Sequence, residues 1–320
     1  MNNGYFFIIV SAILFGTTGI AIGFIGDNIN PFLLTFYRSL IGAITLMIIC
    51  PLVDPNTFNL KDRNYKEDFT IGFLISLSTI LVILAYQQSS IALVTILTHI
   101  YPAVTIVLAT IFLSEKLSQN KVISILIALI GIIIVNPISK FSEEGLGIIY
   151  SLLSALVTSI LIIYMRKTKT RRSLGSTFWF FLFGSLLTLP SIYFYQPIVE
   201  LSMGAVLGTL WIGVVGVGLA YLYYDKSFEY ADAGVVSIIS IVFTPLITII
   251  GSIILLGEEL NIRVFIGAFF LLLSAASLQF FTKIQLHTKY RPEHIKSTLY
   301  LRFKRLLRRK IEEQKAENNS

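Results

Sequence analysis

FTIGFLISLSTILVILAYQQSSIALVTILTHIYPAVTIVLATIFLS, residues 69–114, is a stretch of 46 positions without Asp, Glu, Lys or Arg. A helix needs about 20 mainly apolar residues to cross a bilayer, so this stretch is long enough to cross twice. Its polar centre, Gln87-Gln88-Ser89-Ser90, marks the turn between the two crossings. The stretch lacks the alternation of apolar and polar residues that barrel strands show, and it therefore predicts two membrane helices.

Similar uncharged runs fill the chain on both sides, up to residue 282. The run at residues 28–53 contains a single charged residue, Arg38. Overall 55% of the residues are hydrophobic and 13% are charged, about half the charged share of an ordinary soluble protein. The pattern predicts an all-α integral membrane protein with ten transmembrane helices, spans 1 to 10, at residues 4–26, 31–52, 69–88, 91–113, 120–137, 145–165, 175–195, 203–224, 233–256 and 263–282.

The distribution of Lys and Arg predicts the orientation of these spans. With a cytoplasmic N-terminus, the cytoplasmic segments hold 22 of the 25 Lys and Arg residues, the outer loops hold 2, and Arg38 lies within a span. Cytoplasmic loops of membrane proteins carry such an excess of positive charge. We therefore expect a multi-pass protein of the cell membrane with both termini in the cytoplasm.

Several function classes lack the residues that they need. Cys50 is the only cysteine, and two of the three histidines lie beyond residue 286, so no disulfide and no histidine-rich metal site is expected. Residues 258–263 read EELNIR, a pattern seen in one class of intramembrane protease, but no histidine follows on a later span before residue 287. The sequence thus predicts no metal, no cofactor, no nucleic-acid partner and no enzyme, although an intramembrane enzyme is kept as a minor alternative.

A shift of 143 residues superimposes the first half of the chain on the second. Pro102 then falls on Pro245, Glu115 on Glu258 and Thr105 on Thr248. The repeating unit holds five spans, an odd number, so the two copies must cross the membrane in opposite senses. Inverted repeats of this kind recur in secondary transporters, which bind their substrates near the membrane midplane between the halves. The sequence divides into repeats at 1–139 and 140–282, followed by a tail at 283–320.

The sequence resembles the EamA branch of the drug/metabolite transporter superfamily. The resemblance covers about residues 4–282 and rests on the five-plus-five arrangement, on Pro102–Leu117 and Pro245–Leu260, on YRSLIGA around Arg38, and on the turns AYQQSSIALV and FEYADAGVV. It implies transport of small organic metabolites, often amino acids, through a cavity lined by spans 1, 3, 4, 6, 8 and 9. Where the first copy has Arg38, the second has Phe180-Phe181.

Polar side chains share one face on several of these spans. The spacings predict hydrogen-bonding stripes on spans 4, 6 and 9, and the resemblance adds tyrosines on spans 4 and 8. The predicted cavity residues are Thr95, Thr98, His99, Tyr101, Ser154, Thr158, Tyr221, Ser237, Ser240 and Thr244. A second interpretation stays open, in which the small hydroxyl residues serve helix packing and His99 is a neutral interhelical hydrogen bonder.

The prolines and charges within the spans carry further predictions. Pro102 and Pro245 are expected to kink their helices and to act as hinges. Glu115 and Glu258 are expected to be structural, each stabilising the N-terminal end of the helix that follows. Arg38 either binds an anion or has a structural role, as a partner of a helix end or by reaching to the membrane surface, and the structural role is preferred.

Together these features predict a secondary transporter that exports neutral, zwitterionic or anionic metabolites by alternating access. A non-transporting membrane scaffold is the main alternative. The tail carries 11 Lys and Arg against 4 Asp and Glu, and residues 295–311 have the pattern of an amphipathic helix on the anionic inner leaflet. The substrate, the coupling ion and the oligomeric state do not follow from the sequence.

Overall fold

The computed structural model describes residues 3–53, 63–115, 118–135, 141–168, 173–194, 202–231, 233–259 and 261–289, and within these ranges it is helical without any strand. A π-helical stretch, Ile212–Leu219, joins α10 to α11. The helices are α1 Asn3–Ile25, α2 Pro31–Val53, α3 Tyr65–Gln88, α4 Ile91–Thr98, α5 Tyr101–Phe112, α6 Gln119–Val135, α7 Phe141–Thr168, α8 Leu174–Thr188, α9 Ser191–Phe194, α10 Met203–Trp211, α11 Ala220–Tyr230, α12 Ala233–Leu256 and α13 Ile262–Lys289.

Eight of the ten predicted spans coincide with helical segments that are long and apolar enough to cross a membrane. At the fifth and tenth predicted spans the chain is also helical, but the apolar segments there, Gln119–Gly131 and Ile262–Ser274, are shorter. The all-helical membrane architecture is therefore confirmed, and the count of ten spans stays a prediction.

The chain divides into two compact units, residues 1–279 and residues 280–320. The first contains the helical bundle. In the second, the structure describes only the end of α13, up to Lys289. The predicted amphipathic segment at 295–311 lies outside the described residues.

The surface of the bundle is apolar and its interior contains many hydroxyl groups. Large side chains such as Leu52, Ile133 and Ile254 are 81%, 72% and 72% exposed, whereas Ser151 and Ser252 are fully buried. This is the reverse of the pattern in a soluble protein. It fits a bundle with hydrocarbon around it, in which small residues and hydroxyl groups mediate helix contacts.

The two matched prolines lie in different local structures. The fourth predicted span is broken: α4 ends at Thr98, His99 and Ile100 form a turn, and Pro102 lies in the first turn of α5. Proline has no N–H to donate to the carbonyl four residues earlier, which favours such a break. Pro245, in contrast, lies inside the continuous helix α12.

Helices of the first half pack against helices of the second half in a reciprocal way. The first helix, α1, packs against the segment from α10 to α11 and against α12. Its repeat counterpart α7 packs against α3 and against α4 and α5, which are the counterparts of those helices. The helices α2 and α8, themselves counterparts, pack against each other.

The same reciprocity holds for single residues at the 143-residue interval. A Cβ atom on Gly16 would lie 3.0 Å from the carbonyl oxygen of Thr244, and the hydroxyl of Ser159 donates a 2.9 Å hydrogen bond to the carbonyl of Tyr101. Gly16 and Ser159 are counterparts, and so are Tyr101 and Thr244. At these positions the contact between the two halves is therefore made by the same two residue positions in both directions.

A second reciprocal contact joins α6 to α13. A Cβ atom on Gly131 would lie 3.1 Å from the carbonyl oxygen of Gly267. Their counterparts at the same interval are Ser274 and Ser124, and the hydroxyl of Ser274 donates a 2.6 Å hydrogen bond to the carbonyl of Ser124. The small residues at these positions let the two backbones approach closely.

Candidate functional site

Four helices meet near the junction of α3 and α4. The hydroxyl groups of Tyr86 and Thr95 are 3.1 Å apart. A Cβ atom on Gly19 of α1 would lie 3.1 Å from the Tyr86 hydroxyl and 2.7 Å from Cγ2 of Thr248 on α12. Thr95 is only 2% exposed, so its side chain belongs to the contact between these helices.

His99 occupies the turn that separates α4 from α5. Its Nδ1 lies 2.7 Å from the carbonyl oxygen of Thr95, and because a carbonyl oxygen only accepts, Nδ1 is the donor. A neutral ring therefore carries its lone pair on Nε2. The hydroxyl of Thr98 donates to the carbonyl of Val94 at 2.9 Å, so it stays bonded to its own helix. Tyr101, whose ring centroid is 6.2 Å from that of His99, is partly buried.

Ser154 and Thr158 of α7 lie in the interface with α3. The Ser78 hydroxyl is 2.9 Å from the hydroxyl of Ser154 and 2.8 Å from that of Thr158. Ser154 is 1% exposed and also donates to the carbonyl of Ser78 at 3.1 Å. In this structure both hydroxyl groups take part in helix packing, the second of the two interpretations that the sequence left open.

The predicted stripe on α12 lies on a helix that packs against α4, as the prediction requires. Ser237 and Ser240 are partly buried. The Oγ1 atom of Thr244 is buried without a hydrogen-bond partner among the described residues. No hydrogen bond between described residues joins this stripe to His99, so the two faces share a helix pair but are not directly bonded.

Arg38 and Tyr221 lie in an aromatic cluster where α1, α2, α3, α8 and α11 approach one another. The guanidinium of Arg38 donates a 2.9 Å hydrogen bond from Nη1 to the hydroxyl of Thr79 and stands 5.6 Å from the ring centroid of Phe181. The ring of Tyr221 lies between Phe15 and Phe181, at centroid distances of 4.9 and 5.1 Å.

Sequence reasoning missed Phe15 and Thr79, which carry no charge and belong to no motif. The sequence does indicate a relation between Arg38 and Phe181, because they are counterparts at the 143-residue interval.

Asp225 is a second residue whose place the sequence did not reveal. The eighth span is predicted to end at residue 224, but α11 continues to Tyr230, so Asp225 lies inside the apolar segment Met203–Tyr230. Its Oδ2 accepts a 2.8 Å hydrogen bond from the hydroxyl of Thr177 on α8. One acidic side chain therefore lies inside this apolar segment, near its end.

The two repeated glutamates follow identical helix ends. Ser114 and Gly257 both have positive φ, 53° and 70°. The N–H of Glu115 donates to the carbonyl of Ala109 at 3.3 Å, and the N–H of Glu258 donates to the carbonyl of Ser252, the counterpart of Ala109, at 3.2 Å. A residue with positive φ is a common feature of helix C-termini, and both ends share it at the same place in the repeat.

The side chains of these glutamates nevertheless have different partners. The Glu258 carboxylate accepts hydrogen bonds from the backbone N–H groups of Ile91, at 2.6 Å, and Ala92, at 3.1 Å. The prediction that it stabilises the following helix, α13, is wrong: it caps α4 of the other half. The end of α12 directs Glu258 towards the exposed N–H groups that every helix start presents.

Glu115 forms ion pairs instead of capping a helix among the described residues. Its carboxylate contacts Lys121, at 3.0 Å, and Arg166 on α7. Partial burial alone would raise the pKa of the Glu115 carboxyl, but the hydrogen bond and charge of Lys121 and the charge of Arg166 outweigh it. The pKa of Glu115 therefore lies below its usual value, and the carboxylate links the loop to α6 and α7.

The sequence profile of the EamA-like transporter family matches residues 2–136 and matches again at residues 145–279. The chain belongs to the EamA-like transporter family. The two matches begin 143 positions apart, the interval of the contacts described above. The family and the apolar helices together show that the chain is a multi-pass membrane protein of a transporter family.

Relatives of this EamA-family protein include three bacterial proteins named uncharacterized transporters. One from Clostridium kluyveri is 27% identical over 86% of this chain and 92% of its own length. One from Bacillus subtilis is 24% identical over 72% and 75%, and one from Helicobacter pylori strain J99 is 24% identical over 73% and 80%. A crystal structure with 16% identity and a TM-score of 0.63, covering 88% of this chain and 98% of its own, has the same fold.

Proposed function

We propose that this EamA-family protein is a secondary transporter that exports small organic metabolites by alternating access between two inverted five-helix repeats. The observation that carries the proposal is the reciprocity of contacts, in which Gly16 meets Thr244 and Ser159 meets Tyr101 at the same interval. Reciprocal contacts are the signature of a two-fold axis. With an odd number of spans in each repeat, that axis lies in the membrane plane.

Such an axis supports a substrate site near mid-depth, where the halves face one another. The helices that pair across it include α4 and α12, which carry the stripe of Thr95, Thr98 and His99 and the stripe of Ser237, Ser240 and Thr244. We retain these residues, together with Tyr101 and Tyr221, as the proposed walls of the cavity. For Ser154 and Thr158 their bonds to Ser78 support a packing role.

The unequal partners of the two glutamates support alternation between two states. Glu258 ties the end of α12 to the start of α4, at the side predicted to face outward. Glu115, which also follows a residue with positive φ at a helix end, pairs with Lys121 and Arg166. In the alternate state the roles exchange: Glu115 caps the first residues of α12, and Glu258 releases α4.

The charges within the spans support the class of substrate. The described apolar parts of α1 and α7 contain no Asp or Glu, so these two helices offer no carboxylate to a cationic substrate. Arg38 provides positive charge among the spans instead. The transported compounds are therefore proposed to be neutral, zwitterionic or anionic, and the resemblance to the family favours export.

Cross-linking tests the alternation directly. In a Cys50→Ala background, which has no native thiol, one pair of cysteines replaces Glu258 and Ile91, and a second pair replaces their counterparts Glu115 and Gly234. A short bis-methanethiosulfonate reagent, which links two thiols through disulfides, should join the first pair in one population and the second pair in another, and a thiol reductant should reverse either cross-link. If the second pair never joins in folded protein, the exchange of caps is wrong.

Flux measurements separate a transporter from a membrane scaffold. Proteoliposomes loaded with a bacterial metabolite extract should release a specific subset of compounds, identified by mass spectrometry, and protein cross-linked at Ile91 and Glu258 is the matched control. Release that stops on cross-linking and returns on reduction supports transport. If liposomes without protein, with cross-linked protein and with protein that is not cross-linked all release the compounds equally, the result supports a scaffold.

A further inference from the structure

The guanidinium of Arg38 lies among the spans without a carboxylate partner among the residues that the structure describes. One of its five N–H groups donates to Thr79, and one face of the group lies over the ring of Phe181. A guanidinium needs acceptors for all five donors, and an intramembrane charge without an opposite charge is costly. Four N–H groups are thus left for water or for a ligand.

In the proposed inverted repeat, Arg38 also lies close to the axis that relates the two halves. Its counterpart at the 143-residue interval is Phe181, the residue whose ring it contacts. Two counterparts can touch only near the axis that exchanges them. Because that axis lies in the membrane plane, the contact is near mid-depth, where transporters of this architecture bind substrate.

The surroundings of Arg38 suit a small organic anion. The ring of Tyr221 packs 5.1 Å from the Phe181 ring that Arg38 contacts, and it also packs against Phe15 and Tyr224 at 4.9 and 6.4 Å. These rings form an apolar, aromatic wall beside the positive charge. A single guanidinium balances a single negative charge, and its planar fork of donors fits the two oxygens of a carboxylate.

We infer that Arg38 binds the carboxylate of the transported compound, with Thr79 holding the guanidinium in position and the rings of Phe15, Phe181 and Tyr221 contacting the apolar part. The inference rests on the proposed transport function and names the substrate class, small monocarboxylates with an apolar or aromatic portion. The hydrogen bond to Thr79 leaves most donors of the fork available, so the structural bond and the binding role are compatible.

Ligand binding by purified protein tests this site without any flux. The probe is 3-phenylpropionate, and its uncharged amide, 3-phenylpropionamide, is the control compound. The wild-type protein should bind the carboxylate and not the amide. Arg38→Gln should weaken binding of the carboxylate by about 10- to 100-fold, the effect of losing a hydrogen bond to a charged group.

Two further variants keep the result interpretable. Arg38→Lys keeps the charge but lacks the planar fork, so it should bind with intermediate affinity even if Arg38→Gln folds poorly. Arg263→Gln removes an exposed arginine at the start of α13 and should bind as the wild type does. Equal binding of the carboxylate and the amide, unchanged binding in Arg38→Gln, or no binding of the carboxylate by the wild type would each overturn the inference.

The transport and binding proposals fail in different ways. If the carboxylate binds through Arg38 but proteoliposomes release nothing, the site stands and the transport function fails. If proteoliposomes containing Arg38→Gln release the same compounds at the same rates as the wild type, transport stands and the assignment of Arg38 fails.

Discussion

The carboxylate of Glu258 accepts a 2.6 Å hydrogen bond from the backbone N–H of Ile91, which lies 167 positions earlier in the chain. A second bond, to the N–H of Ala92, completes the cap. The first N–H groups of a helix have no partner within the helix, and they carry the positive end of its dipole. One residue of the second half therefore satisfies the start of a helix in the first half.

Replacement of Glu258 by alanine should destabilise the protein by about 0.5–2 kcal/mol, the usual cost of losing a side-chain cap at a helix start. It should also release the start of α4, so that a membrane-impermeant thiol reagent modifies an introduced Ile91→Cys faster from the outside. The measurements are thermal unfolding in detergent and the rate of labelling in intact cells.

The neighbouring residue Glu259 provides the control, because it has the same charge and is exposed. Glu259→Ala should leave both the unfolding temperature and the labelling rate close to those of the wild type. Equal effects of the two substitutions would show that net charge, and not the cap, is responsible.

Glu115 should make stability depend on pH in the acid range. Its folded-state pKa lies below the ordinary value of 4.5, because Lys121 and Arg166 favour the ionised form. Its contribution is therefore fully present above pH 4.5 and is lost as the pH falls through the folded-state pKa. The wild type should unfold at a higher temperature than Glu115→Gln at neutral pH, and the difference should shrink as the pH falls below 4.5 and through the folded-state pKa.

Lys121→Met gives an internal check on this pH effect. It removes the cation that hydrogen-bonds to Glu115 and leaves Arg166 in place. At neutral pH, the difference in stability between Lys121→Met and the double variant that also carries Glu115→Gln should be smaller than the difference between the wild type and Glu115→Gln. A difference that is the same at all pH values would contradict the assigned role of the carboxylate charge.

The sequence predicted the helices well because uncharged runs report directly on the lipid environment. It predicted the partners of polar side chains less well, since a stripe identifies a face of a helix but not the helix opposite. Ser154 and Thr158 share a face as predicted, and only the structure brings Ser78 of α3 against them. The same limit led to the assignment of Glu258 to α13, its neighbour in sequence, when its partner is α4.

The sequence predicts a kink and a hinge at both prolines, but it does not predict that the two segments differ. Both interrupt the helical hydrogen bonding, yet only the segment at Pro102 breaks into two helices. At that break the His99 ring bonds to the carbonyl of Thr95. Position 242, the counterpart of His99, is Val242, which has no such donor. Identical prolines can therefore have different local outcomes when neighbouring side chains differ.

Close packing of α3 against α8 predicts a large effect for one glycine. A Cβ atom on Gly72 would lie 2.6 Å from the backbone carbonyl oxygen of Phe180 and 3.1 Å from the backbone nitrogen of Gly184. Backbone atoms cannot move aside as the end of a side chain can. Gly72→Ala should therefore destabilise the protein by about 1–3 kcal/mol, measured by thermal unfolding in detergent.

Gly204 provides the matched control for this prediction. The nearest atom to a Cβ at Gly204, the hydroxyl oxygen of Ser202, would be 3.9 Å away, and Gly204 lies in the first turn of α10. Gly204→Ala should be neutral or stabilising by about 0.4–1 kcal/mol, because alanine restricts the unfolded chain more than glycine does. If Gly72→Ala is equally harmless, α3 and α8 are not packed as closely as described.

His99 should be needed for transport rather than for folding. Its Nδ1 is held by the carbonyl of Thr95, and Nε2 of the neutral ring is left to accept a hydrogen bond in the proposed cavity. Two amide substitutions separate the two nitrogens. In His99→Asn the amide nitrogen takes the place of Nδ1, whereas in His99→Gln the longer side chain places its amide near the position of Nε2.

The two variants should differ in flux while both remain folded. His99→Asn should keep the bond to Thr95 and a near-normal unfolding temperature but lose most release of the compounds found with wild-type proteoliposomes. His99→Gln should retain part of that release, since an amide oxygen can accept the hydrogen bond that Nε2 accepts. The opposite result, normal release from His99→Asn together with an unstable His99→Gln, would mean that His99 serves only to complete the break between α4 and α5.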